Sequence, residues 1–442
     1  MRSAGQWDGS SAECLTEKAR EVYTNRIIHN SMRVVALACL CLMMSSGLPA
    51  QENQKAFDWE KAWTLMQKKL GGQQLTPDES TYLGRATSIT PRSDLTAVEA
   101  LLINRQLGGK LTAKENAQVE GMRQILREQL AGAREGRAGK PEGERTAVQP
   151  KPLDDMSAKD EYKGERGGLY GAGRNLPPQQ HRAAAKKELA QIRSLDAKGK
   201  PDVNGKIVLL SIGMSNTTQE FSFFKRLAEQ SPLKNRQLVI VDGAQGGRTA
   251  DQWAEGNETW SVVAERLKAE GVTPQQVQAV WLKAAIGRPA RFGEYPVHTR
   301  KLQENLQRIV QIAREHFPNL RIVYLSSRIY AGYANTPLNP EPYAYESAFA
   351  VRGLLQEQMA GKPELNYDLA KGGVKAPILL WGPYLWADGT KVRGVNGLAW
   401  APEDFMQDGT HPSPFGREKV ARMLYDFFTS SPYARSWFVR PR

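Results

Sequence analysis

From Lys206 onward the chain alternates short, uniformly apolar runs with longer segments whose apolar residues recur at three- and four-residue spacing. Runs at 207–212, 238–241, 279–282, 321–325 and 378–381 have the length and content of buried strands. Segments at 219–229, 260–270, 302–316 and 417–428 read as amphipathic helices. The clearest is 302–316, with Leu302, Leu306, Ile309, Val310 and Ile312 on one stripe. Strands and helices alternating at this interval predict an α/β fold. Its sheet is parallel, helices cover both faces, and the active site lies beyond the carboxyl ends of the strands.

Ahead of this region, residues 51–130 read as a small helical appendage. Asp58 can cap a helix carrying Trp59, Trp63, Met66 and Leu70, and Gly71-Gly72 ends it. Thr76 with Glu79, and Thr112 with Glu115, each have capping-box spacing. The two units lie about 36 residues apart, and two copies are too few for a solenoid. Such helical hairpins suit a protein or surface partner and a packing role equally. Residues 131–203 are rich in Gly, Ala, Lys, Arg, Glu and Pro and poor in apolar side chains. They are expected to form a flexible linker with a short helix near 183–194.

The apolar run at 34–44 is too short to span a bilayer, so no stable membrane span is expected. With Met32 and Arg33 before it and the small residues Ser45, Ser46, Gly47 and Ala50 after it, it reads as a secretory signal over about 32–50. Met32 is then the expected start, and the protein is expected to be secreted or periplasmic. All three cysteines (Cys14, Cys39, Cys41) fall within residues 1–50, which excludes thiol catalysis, disulfides and cysteine–metal sites from the mature chain. Net charge is +13, but no compact basic block with interleaved aromatics occurs, so no nucleic-acid partner is expected.

The segments just past the strands carry the candidate chemistry. After the first strand comes Gly213-Met214-Ser215-Asn216-Thr217, a serine at a strand-to-helix turn where helix amides and dipole converge. By itself Ser215 reads first as a helix cap. After the second comes Gly246-Gly247-Arg248-Thr249, whose glycines allow close backbone approach to a ligand. Near the C-terminus stands Asp408-Gly409-Thr410-His411. An Asp three residues before a His can receive the Nδ1 hydrogen and leave Nε2 free to take a proton from a serine. No His or Cys spacing suits a metal and no phosphate-cradling loop occurs, so no cofactor is expected.

Together these blocks resemble the SGNH/GDSL hydrolase family over about residues 204–437. The family's first block, Gly-Asp-Ser-x-Thr, matches Gly213, Ser215 and Thr217, and its last matches Asp408 and His411. The resemblance implies a three-layer α/β/α fold with a five-stranded parallel sheet. It also implies acyl-enzyme hydrolysis of esters, often acetyl groups on carbohydrate. Ser215, Asp408 and His411 would form the triad, with the amides of Ser215 and Gly247 in the oxyanion hole. Met214 replaces the family's Asp. The third block departs further: where the family has Gly-x-Asn-Asp, this chain reads Lys283-Ala284-Ala285-Ile286-Gly287-Arg288. Gln219, Lys283 or Arg288 could replace the missing Asn donor.

Aromatic residues gather after strand ends: Trp253, Tyr330, Tyr333, Tyr343 and Tyr345, then Trp381, Tyr384, Trp386 and Trp400. Aromatic faces stack on sugar rings, so Trp381 and Trp386, with Gly246, Lys283 and Arg288, are the expected substrate-binding residues. The expected function is a secreted serine esterase acting on acylated carbohydrate or small esters. The alternative is a carbohydrate-binding protein on the same fold with little or no turnover.

Overall fold

The computed structural model describes residues 59–70, 72–88, 92–135 and 150–441. The expected signal, start site, cysteines and Asp58 cap lie outside the described residues, as do 136–149 of the expected linker.

Five apolar runs form the sheet: β3 (Ile207–Gly213), β4 (Leu238–Asp242), β5 (Val277–Lys283), β6 (Ile322–Leu325) and β7 (Ile378–Trp381), numbered after the two-residue strands β1 (Glu161–Tyr162) and β2 (Glu165–Arg166). Their order is β4-β3-β5-β6-β7, and every pairing is parallel. Every residue of β3 and β5 is buried, as helices on both faces require, which is why these strands read as continuous apolar runs.

The helices that bear on the site and its supports include, in chain order, α1 (Trp59–Leu70), α2 (Pro77–Ser88), α3 (Arg92–Gln106), α4 (Ala113–Glu135), α5 (Gln179–Leu189), α6 (Ser215–Glu229), α7 (Val297–His316), α8 (Tyr343–Met359) and α9 (Pro414–Ser430). Val208, Leu210 and Ile212 of β3 join one core with Leu306, Ile309 and Val310 of α7 and Leu354 and Leu355 of α8. On the opposite face Phe221 of α6 stacks on Trp281 of β5 at 5.6 Å, and Tyr324 of β6 meets Phe428 of α9 edge-on at 5.5 Å. The fold is therefore α/β with a central five-stranded parallel sheet.

The helical region packs as a layer. Both capping boxes form: the Thr76 and Thr112 amides each donate to their glutamate at 2.8 Å, and the Glu79 and Glu115 amides donate back to the threonine hydroxyls. Helix α3 lies against α9, where Arg105 and Gln106 both reach Glu418. Among the described residues no helix is long and apolar enough to cross a membrane.

Residues 150–203 correct the expected linker. They wrap the sheet's β7 edge and contribute Leu153, Met156, Tyr162 and Tyr170 to the core. The Trp381 amide donates to Tyr170 Oη at 3.1 Å, and His181 Nε2 lies 2.8 Å from the carbonyl of Leu379 on the edge strand. Covering an edge strand in this way removes an unpaired ladder from the surface. The apolar residues are few, but Leu153, Met156, Tyr162 and Tyr170 are buried, and average composition conceals that.

Candidate active site

Strand β3 ends at Gly213, whose φ of +153° suits glycine: a Cβ there would stand 2.1 Å from the Lys283 carbonyl oxygen and 2.5 Å from Thr217 Oγ1. The chain then turns through extended Met214, and α6 begins at Ser215. Among the described residues no side chain caps this helix, so its first-turn amides and positive dipole face the hydroxyl's surroundings. Two neighbours fix the turn. Thr217 Oγ1 donates to the Lys283 carbonyl at 2.6 Å, and buried Asn216 donates Nδ2 to the Thr410 carbonyl at 2.9 Å.

The second contribution comes from the loop before α9. Phe405 pairs with Pro412, the Met406 amide donates to the His411 carbonyl at 2.8 Å, and the Ser413 amide donates to the Asp404 carbonyl at 2.8 Å. Gly409, at φ +62°, lies so close to Tyr333 that a Cβ would meet its carbonyl oxygen at 1.9 Å.

The two pieces bring three side chains into line. His411 Nε2 lies 2.8 Å from Ser215 Oγ, and His411 Nδ1 lies 2.5 Å from Asp408 Oδ2. Asp408 Oδ1 accepts the amides of Thr410 and His411 at 3.0 and 2.9 Å. Burial opposes the Asp408 charge. The hydrogen bonds from the His411 ring and the two amides outweigh it and hold the carboxyl below its usual range. With the Nδ1 hydrogen given to Asp408, Nε2 is left to accept from the serine hydroxyl. Ser215 is half-buried, and the His411 and Asp408 side chains keep 25% and 31% of their surface, so the row is open to solvent.

No family model matches the sequence, and no curated relative matches it. Several solved structures do. A putative acylhydrolase from Bacteroides fragilis is 15% identical, with a TM-score of 0.31, over 57% of this chain and 97% of its own. The lipase Lip_vut3 from a goat rumen metagenome is 14% identical, with a TM-score of 0.29, over 52% of this chain and 99% of its own. An Arabidopsis thaliana protein is 12% identical, with a TM-score of 0.27, over 48% and 67%.

The remaining expected site residues divide. Gly246 and Gly247 are exposed in a turn beside the serine: the Gln245 amide donates to the Gly213 carbonyl at 2.9 Å, and Gly247 has φ +75°. Arg288 is exposed beyond β5 in a left-handed conformation. Lys283 is not at the surface. It is fully buried in an ion pair with Glu220 of α6, where burial pulls the ammonium down to about 8 and pushes the Glu220 carboxyl up. Trp381 is 5% exposed and gives its indole hydrogen to the Leu169 carbonyl; Trp386 is fully buried and gives its own to Glu341. Trp253, Tyr345, Tyr384 and Trp400 are core residues too. The expected aromatic cleft is thus corrected, because side chains after strand ends turn inward to cover the sheet. Only Tyr330, Tyr333 and Tyr343 keep appreciable exposure, and the 333–336 segment borders the histidine loop, with the Asn335 amide donating to the Asp408 carbonyl at 3.0 Å.

Two further residues lie near the row: Gln219, one of the expected donors, and Arg328, which carries no sequence signal. Gln219, one turn after Ser215, has a buried Oε1 without a hydrogen-bond partner among the described residues. Arg328, just past β6, is 1% exposed, and its three guanidinium nitrogens have no hydrogen-bond partner among the described residues; it is held within the fields of Glu220, Glu341 and Asp408. Among the described residues no cluster of His, Cys, Asp or Glu could hold a metal. The row can therefore supply a nucleophile, a general base and an orienting carboxylate.

Proposed function

We propose that this chain is an exported serine hydrolase of carboxylic esters, similar to SGNH/GDSL enzymes, acting on acyl and specifically acetyl groups of carbohydrate. The observation that carries the proposal is the continuous Ser215–His411–Asp408 row. Ser215 Oγ attacks the acyl carbonyl while His411 Nε2 takes its proton. His411 then returns the proton to the leaving alcohol, and water releases the acid by the same steps reversed. Asp408 holds the ring in the required tautomer and stabilises the imidazolium that forms. The amides of Ser215 and Gly247 receive the tetrahedral oxyanion. Lys283, paired away with Glu220, leaves Gln219 and Arg288 as replacements for the Asn donor, and Gln219 stands on the nucleophile's own helix.

The alternative, a glycan binder without turnover, is supported by the missing Asn donor and opposed by the retained Ser215, His411 and Asp408, since binding alone has no need of all three. Incubating the full chain with acetylated polysaccharides and small acyl esters tests the proposal. Acetate release that falls by about 10³-fold or more in Ser215→Ala supports it. Glycan binding with no ester turnover across the panel contradicts it.

A further inference from the structure

The row in the active site joins two elements far apart in the chain, α6 with Ser215 and the loop with His411. One buried carboxylate outside the α/β domain touches supports of both. Glu99, on α3 of the helical layer, is 5% exposed. Its Oε2 accepts from Arg226 on α6. Its Oε1 accepts from Arg417 Nη1 at 2.6 Å. Arg417, in the first turn of α9, turns its Nε to the carbonyl of Pro412 at 2.9 Å, and Pro412 is the residue after His411.

A second contact acts on the same loop. Arg127 of α4 grips Glu403 with two hydrogen bonds, Nε at 3.1 Å and Nη2 at 2.6 Å, and Arg123 lies over the Phe415 ring at 4.1 Å. The Glu403 carbonyl in turn accepts from Ser413 Oγ at 2.6 Å, at the neck of the histidine loop.

We infer that the N-terminal helical layer is a clamp on the active site, in which Glu99 is a positioning residue that ties the nucleophile's helix to the histidine's loop through Arg226 and Arg417. A surface ion pair would not do this. The Glu99 side chain keeps 6% of its surface and Arg417 15%, while Arg226 keeps 38%, so breaking the cluster is costly chiefly because Glu99 and Arg417 lose their counter-charge in a poorly solvated place. The cluster therefore holds its three elements at a fixed separation, and the Ser215–His411 distance is set across that separation. Misplacing catalytic groups by about 1 Å can cost about 10²-fold in rate.

The inference rests on the hydrolase reading for its kinetic consequence, but its structural half stands apart from it. The test compares the full chain with Glu99→Gln and with Arg417→Lys, which keeps a charge for Glu99 but lacks the guanidinium fork that gives Nη1 to Glu99 and Nε to Pro412. Arg105→Ala, which removes a contact of the same layer to Glu418, is the control. Two readouts are taken: the split of kcat from KM on an ester, and amide hydrogen exchange of the 405–413 segment. The expected result for both clamp variants is a kcat lowered about 10- to 10²-fold with KM little changed, and faster exchange confined to 405–413 and the start of α6. The control alters neither. Unchanged exchange at 405–413 in a folded Glu99→Gln or Arg417→Lys protein overturns the clamp, and so does a uniform rise across the whole domain. If the wild type turns over no ester, the hydrolase reading fails and the exchange result alone decides the clamp.

Discussion

Asn216 donates its side-chain amide to the carbonyl of Thr410 at 2.9 Å, so the residue after the serine holds the residue before the histidine. Both are buried. The bond crosses from α6 to the histidine loop beside the Ser215–His411 contact and keeps the two from sliding apart.

Asn216→Ala leaves the Thr410 carbonyl without that donor. The expected cost is about 1–3 kcal/mol in stability, with a kcat about 10-fold or more lower and KM little changed. Urea denaturation and steady-state kinetics on the same preparation check both. A variant with full kcat would show that the loop is held without Asn216.

Gly213→Ala is expected to fail structurally. The new Cβ would meet the Lys283 carbonyl at 2.1 Å on a backbone at φ +153°. The strain should cost at least about 2 kcal/mol and displace the serine turn. Thermal denaturation measures the first effect and hydrolysis by the folded fraction the second. Wild-type values for both would contradict the described turn.

Asp154 gives a pH signature to the wrapped segment. Its side chain is 6% exposed, one oxygen lacks a partner among the described residues, and burial raises the carboxyl from 3.8 to about 6 although Arg393 stands 3.6 Å away. A raised folded pKa means the folded state binds the extra proton. This group's contribution is therefore most favourable below about pH 4 and is lost as pH rises through about 6. Relative to Asp154→Asn, the wild type should lose on the order of 3 kcal/mol of stability between those limits. Urea midpoints at pH 4 and pH 7 for both proteins give the difference. A difference that does not change with pH would contradict burial of Asp154.

Trp386→Ala separates a core role from substrate binding. The indole is fully buried and bonded to Glu341. Its removal should cost about 3–5 kcal/mol while KM of the remaining folded enzyme stays the same. A raised KM with unchanged stability would return Trp386 to the substrate cleft.

The strands and the pairing of Asp408 with His411 were legible in the sequence because each depends on local pattern. Strands buried on both faces read as apolar runs, and Asp408 lies three residues from His411 because one short loop must present both. Helix α8 was not legible. Tyr345, Ala348, Phe349, Val351, Leu354 and Leu355 are all buried, so it lacks the polar face that creates a stripe. Lys283 misled because its position at a strand end says nothing of which way its side chain points, and its partner Glu220 lies 63 residues away. Glu99 and Arg417 are 318 residues apart, and no local spacing marks such a pair.

The most direct measurement is covalent. The full chain is treated with a fluorophosphonate, and the adduct is located by peptide mass spectrometry. A single adduct is predicted on Ser215, absent in Ser215→Ala and formed about 10³-fold or more slowly in His411→Ala. A protein that forms no adduct at Ser215, or one that labels equally fast without the imidazole of His411, would contradict the proposed nucleophile and base.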